Sequence, residues 1–180
     1  MTTRLLVTIT LLLLPWLSPC AYGDNQQSDE NLLKAVFIYN FAKFTRWPDH
    51  KQIENGSLKI CSFGEDELTQ ALLRLDGRTI RDHPVAIEQR LDSLGLDSCH
   101  VLYLARSAMD QFVGITDSLR SEPVLTVSEI PEFSELGGMI ELYHFDGKIR
   151  FKINLQAVRD AGLDLSSRLL KLAVIVHRQQ

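Results

Sequence analysis

Asp146-Gly147 is the tightest constraint in the chain, because it stands between two alternating runs, Met139 to Phe145 and Lys148 to Asn154. A two-residue type I′ turn needs positive φ at both central positions, and Asp-Gly supplies it at little cost, so the pair predicts an antiparallel hairpin. Along the second run Ile149, Phe151 and Ile153 alternate with Lys148, Arg150, Lys152 and Asn154. On the first, Ile140, Leu142 and His144 alternate with Glu141, Tyr143 and Phe145. One face is expected to lie on the core and the other, charged and aromatic, to point outward. Glu141 across from Arg150 or Lys152 gives those charges a structural role. The same face, with Tyr143 and Arg150, also has the composition that protein interfaces favour.

The rest of the chain supplies a sheet for the hairpin to join. Leu58 to Phe63 reads as a buried strand, followed by Gly64 and a helix that opens on Glu65-Asp66-Glu67 and ends at Leu75. Pro84 to Gln89 and Cys99 to Leu104 read as further strands, and Ser107 is placed to cap a helix through Leu119. Val124 to Val127 is another short apolar run, before a polar loop that ends in Gly137-Gly138. Strands alternating with helices predict an α/β fold: a single compact domain with a mostly parallel sheet, an antiparallel C-terminal hairpin and flanking helices. After the hairpin a helical segment is expected to stop near Gly162 and restart at Ser166 as SSRLLKLAVIVH, with Leu169, Leu170, Leu172 and Ala173 packed inward. At the other end Ser28-Asp29-Glu30 marks a helix start. Leu33, Phe37, Phe41 and Phe44 recur at helical spacing, and Pro48 ends the helix after Trp47. That stripe belongs in a core or against another subunit.

The first 23 residues are expected outside the fold. Arg4 is a thin basic region, Leu5 to Leu14 an apolar one, and Ala21-Tyr22-Gly23 places small residues for cleavage after Gly23, leaving a domain over 24–180. Proline before Cys20 argues against a lipidated cysteine there. Net charge is −4; the leader holds only Arg4, so the remainder carries 18 basic against 23 acidic residues. A mildly acidic chain lacks the electrostatic footprint of a nucleic-acid binder. Export to an oxidising compartment makes Cys61 and Cys99 a predicted disulfide. Closing that loop removes chain entropy worth roughly 4 kcal/mol.

No catalytic pattern is legible. His50, His83, His100, His144 and His177 are not spaced as a helical metal pair, and no Gly-x-Ser-x-Gly elbow or phosphate-binding glycine pattern occurs. The Gly64 turn opens on three acidic side chains that would repel a phosphate. No catalytic residue, cofactor site or metal site is assigned, and the chain is not expected to be an enzyme.

The strings KAVFIYNFAKFTRWP (Lys34 to Pro48) and VLTVSE…GGMIEL…DGKIRFKINLQAVRDAGLDLSSRLLKLA resemble the YfiR-like family of bacterial periplasmic proteins. The resemblance implies a repressor that binds the periplasmic sensor region of a membrane-anchored diguanylate cyclase and lowers cyclic di-GMP. It further implies a homodimer and an outer-membrane lipoprotein that can sequester the repressor. Positions matching the family cassette make Ile140, Arg150, Phe151, Lys152, Asn154 and Val158 candidate partner contacts, and Tyr143 joins them on composition. Some relatives carry a second cysteine pair about where Ser134 and Glu141 stand here, so a looser hairpin is expected. Two other classes stay open: a periplasmic small-molecule-sensing module with a pocket between the aromatic helix and the sheet, and a hydrolase built from dispersed acids.

Overall fold

A computed structural model of the chain describes residues 23–51, 53 and 56–176. The expected leader lies outside these residues except for Gly23, which opens helix α1 (Gly23–Phe44). Cys20 and His177 are also outside them.

The sheet is built on β2 (Leu58–Phe63), β5 (Val101–Leu104) and β6 (Leu125–Ser128), with β4 (His83–Arg90) on the far side of β2. These strands pair in parallel, in the order β4-β2-β5-β6. Every residue of β5 and β6 is buried. Strands covered on both faces read as continuous apolar runs, which is why VLYL and LTVS show no alternation. Helices α1 and α2 (Glu67–Leu73) cover one face, while α3 (Phe112–Ser118) and the 131–138 loop cover the other. The two half-cores are centred on Phe41, Ile60 and Tyr103, and on Phe63, Leu104 and Phe133.

The hairpin forms as its turn chemistry requires. β7 (Ile140–Phe145) and β8 (Lys148–Asn154) pair antiparallel with Tyr143 across from Arg150 and Glu141 across from Lys152. Asp146 and Gly147 sit at φ of 52° and 66°. β7 joins the sheet in parallel beside β6. Cys61 and Cys99 are disulfide-bonded with Cα atoms 5.9 Å apart, tying β2 to the entry of β5 inside the α3-side core.

The C-terminal segment departs from expectation. SSRLLKLAVIVH is not one helix: α5 spans only Ser167–Leu170, and β10 (Val174–Val176) then pairs parallel to β8. The β-branched Val-Ile-Val run prefers a pleated strand, and β8 has an open row of backbone groups that needs partners. The hairpin therefore lies inside the sheet, between β6 and β10. Leu169 is buried as expected, but Leu172 is 70% exposed because the chain has left the helix there.

The first helix differs as well. It begins at Gly23 and stops at Phe44, because Thr45–Arg46 (β1) turns extended to pair with Asp164–Leu165 (β9). Its buried stripe runs through Ala35, Ile38, Phe41 and Ala42, while Leu33 is half exposed. Small Ala35 and Ala42 let the helix approach the sheet closely, leaving Phe37 and Phe44 at the margins of the contact. Ser107 does not cap a long helix. It lies in a 3-10 turn (Arg106–Ala108), where its hydroxyl accepts from the Glu65 amide and donates to the Glu65 carbonyl, and α3 starts later.

Candidate functional site

The inner face of the hairpin is closed by α1. Phe151 packs edge-on against Phe41 with centroids 5.0 Å apart and lies 6.0 Å from Phe37. His144, expected on this face, passes beyond the core and is exposed, where its Nε2 meets Glu30 Oε1 of α1 at 2.7 Å. That contact ties the hairpin tip, with Phe145 63% exposed, to the part of α1 around Glu30.

The outer face is partly covered by the loop before β7, and the covering depends on Gly137-Gly138. Gly137 has φ +114°, a conformation L side chains rarely adopt. Gly138 lies under the Phe133 ring, so close that an added Cβ would come within 2.1 Å of it. Phe133 is fully buried against Phe112, which holds the loop down. Seated this way, Ser134 donates from its amide and its hydroxyl to Glu141 Oε2, at 3.2 and 3.0 Å. Ser134 and Glu141, where the resemblance implied a looser hairpin, thus touch here through hydrogen bonds.

Lys152 completes the brace, with Nζ 2.9 Å from Glu135 and 3.1 Å from Glu141 and lying 5.5 Å from the centre of the Tyr143 ring. Burial alone would depress the Lys152 ammonium, but the two carboxylates outweigh it and hold it above its ordinary pKa. Burial likewise pulls Glu135 upward, and bonds from Lys152 and Ser134 turn the balance downward.

Four of the seven residues expected at an interface are therefore inside the protein. Ile140 and Val158 have no exposure, and Phe151 is buried at 4%. Asn154 is 1% exposed: its amide NH2 donates to the Ser134 carbonyl, and its carbonyl oxygen accepts from the Ala157 amide to cap α4 (Leu155–Asp160). Ile140, Phe151 and Val158 support the face from the core side, and Asn154 anchors the loop that covers its end. Tyr143 and Lys152 are half-buried at the surface and Arg150 is exposed.

A polar crevice lies beyond the carboxyl ends of the parallel strands. β2 leads by way of α2 to β4 on one side, while β5 leads by way of α3 to β6 on the other. Chains that diverge in this manner leave an opening at the reversal of strand order. About 480 Å³ is open there, between α1 and the segments after β2, β5 and β6. At its base Lys34 of α1, with a side chain 5% exposed, bonds Glu30 at 2.5 Å and Glu129 at 2.7 Å. Glu129, 7% exposed, is approached at 3.8 Å by Arg106, which is 64% exposed. Asp66 accepts from the Tyr103 hydroxyl at 2.6 Å and from the Thr69 amide at 2.8 Å. Asn31 donates to Glu67 at 2.8 Å. Burial would lower the Lys34 pKa, but Glu129 and Glu30 overcome it and raise it. Burial and the adjacent Asp66 carboxylate push the Tyr103 hydroxyl far upward, so it stays a donor.

No pattern in the sequence marked this crevice, since its lining comes from five separate segments. A second recess of about 290 Å³ lies between the end of α1 and the β3 (Thr79–Ile80) edge, lined by Trp47, Arg46, Lys51 and Arg81 among others. His100, behind Trp47, accepts the Lys59 amide on Nδ1. Burial and then nearby Lys51 lower its pKa to about 4. Among the described residues no three His, Cys, Asp or Glu side chains are grouped to hold a metal ion, and no helix is long and apolar enough to cross a membrane.

A family model described as YfiR/HmsC-like matches residues 31–174, from the third turn of α1 to the start of β10.

Proposed function

The chain belongs to the YfiR/HmsC-like family, known for regulating diguanylate cyclases from the periplasm, and on that premise we propose that it represses one such enzyme by docking on its periplasmic sensor region. The observation that carries the reading is the braced outer face of the hairpin. Lys152 is locked between two carboxylates beneath Tyr143, so Tyr143 and Arg150 are presented on a support that does not need to be ordered on binding. Pre-organised aromatic and arginine side chains are the groups that most often dominate protein interfaces.

Docking represses only through a difference in affinity. A repressor that bound the active and inactive sensor equally well would shift nothing, however tightly it bound. Phe145 at the hairpin tip, 63% exposed, supplies apolar area at the end of the charged face, and in this reading the regulator acts as a homodimer. An outer-membrane lipoprotein that took the same surface would release the cyclase. The leader at 1–23 delivers the chain to the periplasm, where the Cys61–Cys99 bond is stable.

The test compares a deletion strain complemented with the parent chain or with Arg150→Glu, reading cyclic di-GMP and recovery of the cyclase from detergent-solubilised membranes. Arg150 is exposed and lies across the strand pair from Tyr143, so the variant is expected to fold as the parent does. The proposal expects high cyclic di-GMP and lost recovery with the variant. Parent-like levels in every strain, with no cyclase recovered by the parent chain, would remove it.

A further inference from the structure

We propose that the crevice beyond β2, β5 and β6 binds a small zwitterion, a molecule carrying a primary ammonium and an anionic group close together. The inference is independent of where the hairpin docks.

Position is the first argument. In open parallel sheets ligands bind outside the carboxyl ends of the strands where strand order reverses, because chains leaving in opposite directions open a cleft there. Here that reversal falls between β2 and β5, and Asp66, Arg106 and Glu129 follow the ends of β2, β5 and β6. The volume, about 480 Å³, suits a small solute.

Charge is the second. Asp66, Glu67, Glu129 and Glu30 line the crevice together with Lys34, Arg106 and His144. A free anion meets an excess of carboxylates, and a simple cation meets Arg106 and Lys34. A molecule with both signs satisfies both sets. Arg106 is the available anchor for the anionic group, since it is 64% exposed and its contact with Glu129 is long, at 3.8 Å. Its planar fork suits a carboxylate or a phosphate. Asp66 is the natural partner for the ammonium. Tyr103 and the Thr69 amide already hold it in place, and an ionised carboxylate can accept more than the bonds it makes.

The third argument is the base of the crevice. Lys34 and Glu129 are a nearly dry ion pair, an arrangement that adds little net stability because desolvating both charges offsets their attraction. It does fix the positions of the carboxylates around the opening. Glu30, on the other side of Lys34, reaches His144 at the hairpin, so occupancy of the crevice has a physical route to that element.

The experiment is calorimetric titration and thermal unfolding of the disulfide-bonded chain over residues 24–180. Probes are the proteinogenic L-amino acids, O-phosphoethanolamine, acetate and ethylamine, with the N-acetyl and amide forms of any amino acid that binds. The first two classes separate a carboxylate from a phosphate source. At least one zwitterion is expected to raise Tm, with single-charge counterparts bound at least about tenfold more weakly. Arg106→Met should lower that affinity about tenfold while keeping a cooperative ligand-free unfolding transition, and Arg120→Met on the α3 side should leave the affinity unchanged. The proposal is overturned if no zwitterion shifts Tm at roughly 10 mM, if a single-charge probe binds equally well, or if Arg106→Met binds as the parent does.

Discussion

Replacing Lys34 by methionine should destabilise the protein far more than the ion pair itself contributes. The side chains of Lys34 and Glu129 are 5% and 7% exposed, with Nζ 2.7 Å from the carboxylate. Removing the ammonium strands a buried carboxylate, a loss of about 3–5 kcal/mol when nothing compensates. Arg106, at 3.8 Å and largely exposed, can move in part-way, so about 3 kcal/mol is expected for Lys34→Met. Glu129→Leu leaves Lys34 its bond to Glu30 at 2.5 Å and should cost less, about 1–2 kcal/mol. The double variant Lys34→Met/Glu129→Leu has no stranded charge and should return to within about 1 kcal/mol of the parent. Urea unfolding at pH 7 of all four proteins, with the disulfide intact, closes the cycle. A double variant as unstable as the sum of the single ones would refute the reasoning, and so would a Lys34→Met loss below about 1 kcal/mol.

His100 has a folded pKa of about 4 against an ordinary 6.5, so the unfolded chain binds its proton first and stability should fall as pH drops from 6.5 towards 4, by up to about 3 kcal/mol. His100→Asn, which keeps an acceptor for the Lys59 amide, should flatten that part of the curve in urea midpoints measured from pH 7 to pH 4.5. Gly138→Ala forces its Cβ against the buried Phe133 ring and should cost about 2–3 kcal/mol, releasing the loop that braces Glu141. Proteolysis confined to the 131–138 segment would report the release. Cys61→Ala/Cys99→Ala opens a loop with a sequence separation of 38 and should lose about 4 kcal/mol, read from denaturant midpoints.

The hairpin, the parallel strands and the cysteine pair were legible because their signals are short in sequence. Asp146-Gly147 announces its own φ values, and the apolar runs of β2, β5 and β6 announce burial on two sides. The C-terminal Val-Ile-Val looks helical from its neighbours, because Ser166 begins a real helical turn. Only the unpaired edge of β8 decides that the chain should straighten again. The candidate contacts mixed surface with interior for a related reason. Alternation correctly separated Asn154 and Lys152 from the apolar side, but it does not say that the 131–138 loop would fold back and bury Asn154 beneath Ser134.

The amino-acid sequence alone determined the central strands, the hairpin turn, the disulfide partners and the likeness to one family, because periodicity and turn chemistry act over a few residues. Tertiary structure decided which charges went inside. Lys34 and Glu129 lie 95 positions apart and look like ordinary surface residues until α1 is laid across the ends of the strands. Burial is a property of what packs on top of a side chain, and here the covering pieces come from distant parts of the chain. The crevice and the braced hairpin face therefore exist only once the layers have stacked.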